Sequence, residues 1–119
     1  MVNHTEKEGI KITVKRLDDL NIKETIDLIK IDVEGFEFEV LKGAIDTIKK
    51  DKPNLIIEYS NTRINTAKDN EIYEWIKALG FYKIYKLKWG KERKSSLIEI
   101  VSKNELPTHD SIFCINQTK

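Results

Sequence analysis

Along residues 10–17, IKITVKRL, apolar and polar positions alternate, with Ile10, Ile12 and Val14 on one side and Lys11, Thr13 and Lys15 on the other. Period two with β-branched residues predicts a strand. LDDLN then reads as a turn or a short helical turn. A second strand is expected at 26–33, IDLIKIDV, and helix spacing follows through Val40, Leu41, Ala44, Ile45 and Ile48. Lys49, Lys50 and Lys52 suit the negative end of that helix, and Pro53 stops it. NLIIEYS, 54–60, is the short continuous apolar run of a parallel strand covered on both faces. After the polar loop NTRINTAKDN, the residues Ile72, Trp75, Ile76 and Leu79 repeat helix spacing, with Gly80 as the stop. FYKIYKLK alternates as a strand and WGKERK is a turn. From Ser96 the spacing Ser96-x-x-Glu99 fits a capping box opening a helix, with a strand at SLIEIV as the alternative. Past Pro107, SIFCIN closes the chain as a last strand.

Strands alternating with helices imply parallel βαβ units with right-handed crossovers, hence an α/β fold on a mostly parallel sheet. The last two strands are expected to pair antiparallel as a hairpin at one edge. Residues 1–9 read as a polar lead and 10–119 as a single domain, a size that buries a modest core.

Composition narrows the function more than it defines it. Lys and Arg number 21 against 20 Asp and Glu, and the lysines are spread rather than striped, which excludes binding of nucleic acid by bulk electrostatics. The single cysteine, Cys114, permits no internal disulfide and no cysteine-built zinc site; among Ile112, Phe113 and Ile115 it reads as a small core hydrophobe. No apolar run approaches the ~18 residues of a membrane span. The polar start MVNHTEKEG is no signal peptide, so a cytoplasmic location is the default expectation. His4 and His109 stand in polar segments outside any metal-spaced cluster, and both are expected to be solvated. Trp75 is placed in the core and Trp89 at an edge.

The charges inside IDLIKIDVEG are the chemical signal. If the strand continues through 34, Lys30, Asp32 and Glu34 share one face. Asp32 and Glu34 then lie at the carboxyl end of the strand, where ligands bind in open α/β sheets. Glu58 ends the next strand, and neighbouring strands ~4.8 Å apart bring it beside Asp32. Converging carboxylates suit a divalent cation such as Mg²⁺, or a general base that orients a hydroxyl. Tyr59, beside Glu58, either faces a ligand or packs against the following helix. The structural reading stands equally open: the two acids cap the following helix, Glu58 pairs with Lys30, and Gly35 makes a tight turn. A phosphoryl-transfer site would need a second Asp where Glu34 stands and a downstream Thr where Phe36 stands.

The pattern TVKRLDDL, IDLIKIDVEGFEFEVLKGA, PNLIIEY resembles the FkbM-type methyltransferases, closely over about residues 10–60 and by element order beyond. The resemblance implies a doubly wound, Rossmann-like class I methyltransferase sheet. It also implies S-adenosylmethionine as cofactor and O-methylation of a sugar or secondary-metabolite hydroxyl, so the partner is a small-molecule or glycan acceptor. Its motif falls on Lys30, Asp32, Glu34, Gly35, Glu37 or Glu39, Leu41, Lys42, Gly43 and Glu58. By analogy with metal-dependent relatives, Asp32 and Glu58 hold a metal beside the hydroxyl; a metal-free version has Asp32 position it.

The departure lies in the glycines. Gly9, Gly35, Gly43, Gly80 and Gly90 form no G-x-G loop, so the chain resembles the C-terminal half of such a domain without most of its cofactor site. Uncovered sheet edge and apolar surface are then expected to drive self-association or pairing with an upstream partner chain. The alternative reading is a non-catalytic remnant that completes another chain.

Overall fold

The computed structural model describes residues 9–60, 66–89 and 94–118. Its elements are β1 (Leu28–Ile31), α1 (Glu37–Lys42), α2 (Ile45–Asp51), β2 (Asn54–Ser60), α3 (Thr66–Leu79), β3 (Tyr82–Leu87), β4 (Leu97–Ile100) and β5 (His109–Asn116). Two 3₁₀ turns, Leu17–Asp19 and Lys103–Glu105, precede β1 and β5. His4 and the tips of the two polar loops, 61–65 and 90–93, lie outside the described residues.

The sheet runs β1-β2-β5-β3-β4. The helical crossover between β1 and β2 makes them parallel, with Ile31 beside Ile57. The pairs β2–β5, β5–β3 and β3–β4 are antiparallel. The sheet is therefore mixed rather than mostly parallel. No α-helix separates β4 from β5, so β5 returns antiparallel and inserts between β2 and β3. The strands expected at 81–88 and 111–116 do pair antiparallel, as β3 and β5, but inside the sheet; the edge hairpin is β3–β4.

Residues 97–100 take the strand alternative rather than the helix that the capping-box spacing suggested. Ile100 is fully buried opposite Ile84, and pairing with β3 outweighs a local capping box. The alternation at 10–17 yields no strand: Ile10, Ile12 and Val14 are 89, 79 and 85% exposed. A period-two pattern makes a strand only where a neighbour completes its hydrogen bonds, and among the described residues none pairs with this segment. The single helix expected after Gly35 is two short ones, broken at Gly43–Ala44. A Cβ at Gly43 would sit 3.1 Å from the Arg16 Cβ, so the glycine lets the 3₁₀ turn lie against the break.

That turn caps α2. Ala44 precedes the helix and has no side-chain acceptor, and the Asp18 carboxylate takes its place. It accepts from the Asp46 and Thr47 N–H groups at 2.9 Å each and from the Thr47 hydroxyl at 2.8 Å. The Asp18 N–H in turn donates to the Gly43 carbonyl. At the other end of α2, Lys52 adopts a left-handed conformation and its N–H closes on the Ile48 carbonyl.

One hydrophobic cluster joins the helices to one face of the sheet. Leu41, Ala44, Ile48, Ile72 and Ile76 pack on Ile31, Leu55, Ile57, Ile84, Ile112 and Cys114. The alternate positions Ile56, Phe113, Ile115 and Tyr85 belong to the opposite face, stay half-buried and lie outside the cluster. The two faces are thus unequally covered by the described residues, where a doubly wound sheet carries helices on both. Cys114 is fully buried, as its neighbours in sequence implied. Trp75 is half-buried, edge-to-face with Phe38 at 6.3 Å. Trp89 is 56% exposed beneath the Lys88 ammonium.

Candidate active site

β1 ends at Ile31, and the chain then turns sharply through Glu34 (φ 50°) and Gly35 (φ 114°) into α1. Glycine takes the second of these angles without a Cβ penalty. Because the strand stops early, Asp32 and Glu34 do not continue its alternation with Lys30. Both are exposed, and neither caps α1, whose N-cap, Phe36, makes no side-chain capping bond.

The buried acid of this segment is Glu37, 3% exposed in the first turn of α1. Its two carboxylate oxygens accept from the Val33 N–H at 3.2 Å and the Gly35 N–H at 3.1 Å. Charge-assisted bonds of this kind fix the loop that carries Asp32 and Glu34. The sequence motif included Glu37 without a role; its position just after D-V-E-G-F is the signal that a carboxylate can reach back to the turn.

Asp32 follows directly on Ile31, which pairs with Ile57, and Glu58 is the next residue of the parallel neighbour β2. Glu58 lies on the half-buried face, its side chain 17% exposed. Its Oε1 accepts from the Ser111 hydroxyl at 3.2 Å, and its Oε2 lies 3.8 Å from His109 Nε2. Ser111 and His109 come from the start of β5, opposite Glu58 and Ser60 in the antiparallel ladder. His109 is exposed, as expected, while lying within reach of Glu58. Local sequence carries no trace of this grouping, since it depends on β5 lying beside β2.

Of the two readings of Tyr59, the structure has the packed one. At 3% exposure it packs in the core on the opposite face from Glu58, as strand alternation requires. Lys30 is exposed on β1. Asp32, Glu34 and Glu58 do not converge on one point: among the described residues, no three His, Cys, Asp or Glu side chains are grouped to hold a metal ion. With Glu58 engaged by Ser111 and His109, the arrangement does not fit a preformed Mg²⁺ site.

The grouping carries a different chemistry. A carboxylate held by a hydroxyl, with an imidazole nearby and a second carboxylate in the loop after the neighbouring strand, can accept hydrogen bonds from a bound hydroxyl and receive its proton. The clefts elsewhere are separate from it. One of about 210 Å³ is lined by Leu17, Asp18, Ile22, Asp46, Thr47 and Asp51, and one of about 420 Å³ runs between Val14–Leu17 and the start of α1. Neither borders Asp32, Glu34 or Glu58, and the described residues supply no glycine-rich cradle for S-adenosylmethionine.

The family model of the methyltransferase FkbM domain matches residues 2–82. No curated protein and no solved structure matches the chain. The match spans the capping turn, the Asp32–Gly35 loop, both parallel strands and α3. The chain belongs to the FkbM methyltransferase domain family.

Proposed function

We propose that this chain provides the acceptor side of an S-adenosylmethionine-dependent O-methyltransferase acting on a sugar or secondary-metabolite hydroxyl. Family membership supplies the reaction class. The observation that supports this reading is the pairing of Ile31 with Ile57, after which each parallel strand continues into a carboxylate, Asp32 and Glu58, the latter bonded by Ser111 with His109 nearby. In this reading Asp32 accepts a hydrogen bond from the acceptor hydroxyl and Glu58 receives its proton, without a metal. Lys30 and Glu34 flank the entry, and Gly35 lets the loop turn tightly enough to hold Asp32 at the strand end. The described residues do not fit the cofactor itself, so its cradle is assigned to a second body and no methyl-transfer step is routed through this chain alone.

A second reading is favoured by the half-buried sheet face: a non-catalytic domain that completes another chain. Two titrations of the purified chain separate them. Calorimetry with S-adenosylmethionine, with and without Mg²⁺, is expected to show binding weaker than about 1 mM; affinity near 1 μM would place the cofactor site within this chain. A panel of monosaccharides followed by amide chemical shifts is expected to move Asp32–Gly35 and Glu58–Ser60. Shifts lost in both Asp32→Asn and Glu58→Gln support the acceptor site, and a panel that moves none of these amides leaves only the completing role.

A further inference from the structure

Consecutive residues of the loop after β1 hold positive φ, Glu34 at 50° and Gly35 at 114°. Glycine takes such an angle freely. At Glu34 the Cβ crowds the backbone, and a residue so placed keeps this conformation only where its surroundings impose it. The Glu34 side chain does not hold itself there: it is exposed and makes no hydrogen bond or ion pair with another described residue.

The hold comes from Glu37. Its Oε2 accepts from the Val33 N–H at 3.2 Å and its Oε1 from the Gly35 N–H at 3.1 Å, one bond on each side of Glu34. Both donors precede Phe36, the N-cap of α1, so neither is one of the free N–H groups of the helix. A carboxylate that served only the helix would turn to the N–H groups of its first turn. This one is 3% exposed and reaches back onto the loop instead. A buried carboxylate is unfavourable unless hydrogen bonds replace its water, and the loop supplies two of them. Side chain and loop therefore depend on each other.

We propose that Glu37 is the positioning residue for Asp32. By bracketing the strained Glu34 it sets the path of the chain beyond β1, and with it the place of the Asp32 carboxylate. That Asp32 meets an acceptor hydroxyl rests on the function proposed above; the hold of Glu37 on Asp32 does not. Each carboxylate oxygen serves a different N–H, so neither is dispensable. Glu37→Gln keeps the size of the side chain but turns one acceptor into an NH₂ donor, which meets an N–H group whichever way the amide lies. Glu37→Asp keeps the charge but is one methylene too short to reach both donors. Glu34→Gly removes the Cβ that makes the loop need holding.

Amide hydrogen exchange and chemical shifts of the full, isotopically labelled chain test it. In Glu37→Gln the Val33 or the Gly35 amide is expected to exchange roughly tenfold faster, the loss of about one hydrogen bond. The side-chain carboxyl resonance of Asp32 is expected to move, while Ile29 and Ile57 in the sheet keep their protection. Glu37→Asp should show the same changes, and it decides the matter if Glu37→Gln does not fold. Glu37→Gln/Glu34→Gly is expected to return the Asp32 resonance toward its place in the unaltered chain, a rescue that loss of a merely stabilising carboxylate would not show. A monosaccharide that shifts Asp32 in the unaltered chain should shift it less in either Glu37 variant. A panel that shifts nothing in the unaltered chain overturns the acceptor reading, and the spectra without ligand still decide the role of Glu37. An Asp32 resonance indifferent to both Glu37 variants overturns the proposal. So does an equal loss of protection at Ile29 and Ile57 in both, which would make Glu37 a support of the whole fold.

Discussion

The two faces of the same five strands have different coverings. On one, Ile57, Ile84, Ile112 and Cys114 are wholly buried beneath α1–α3. On the other, the intervening Ile56, Phe113, Ile115 and Tyr85 are half-buried, and the candidate chemistry of Glu58, Ser111 and His109 sits among them. Strand alternation assigns residues to faces, while the connections decide which face receives helices. Here the covered face supplies most of the stability, and the face beside it is where carboxylates remain reachable. Stability and site are one residue apart along β2: Ile57 belongs to the first and Glu58 to the second.

The comparison breaks most visibly by truncation on each side. Ile57→Ala removes fully buried methyl groups and is expected to cost about 2–5 kcal/mol in denaturant unfolding. Phe113→Ala deletes a larger side chain but a half-exposed one, and roughly 1–2 kcal/mol is expected. Equal losses would mean that the second face is as closed as the first.

A smaller effect tests the helical layer that makes the covered face. Asp18→Ala leaves α2 without its tertiary cap and is expected to cost about 1 kcal/mol. Desolvation pushes the Asp18 carboxyl up. The N–H groups of Asp46 and Thr47, the Thr47 hydroxyl and the Arg16 charge together outweigh it and hold the carboxyl below its ordinary value. The folded-state pKa is therefore depressed. The stabilisation is fully present above the unfolded value of about 3.9 and is lost as pH falls through the folded one. Acid titration of the unaltered chain should show this loss, and Asp18→Asn should lack it; identical acid profiles would remove the carboxylate from the cap. The smallest change is expected at Ser111→Ala. On the half-open face water can replace its bond to Glu58, so the loss should stay below about 0.5 kcal/mol in the same unfolding assay. A loss well above that would show that Glu58 is enclosed.

What the sequence disclosed follows the same division. The run at 54–60 and the helix stripe after Gly35 are local patterns, and the structure has them as β2, α1 and α2. The parallel pairing of the strands that lead to Asp32 and Glu58 was legible because a βαβ unit nearly dictates it. The strand expected at 10–17 failed because alternation reports readiness to pair and says nothing of a neighbour. The segment at 97–100 stayed open between helix and strand because a capping box is local, whereas the burial of Ile100 against Ile84 is not. His109 and Ser111 escaped for a related reason: only the insertion of β5 between β2 and β3 brings them to Glu58. Asp18 was visible as part of a turn, but its service to a helix 28 residues away was not.

The position of Cys114 has a kinetic consequence. The chain's single thiol lies in the strand held between β2 and β3, wholly buried, and burial pushes its pKa up. In the native state it is both unreachable and protonated, so it is inert to alkylating reagents. It becomes reactive only when β5 parts from both neighbours, an opening that dissolves the sheet rather than fraying an end. The rate at which this one sulfur is modified, with reagent in excess, is therefore a clock for unfolding of the whole sheet.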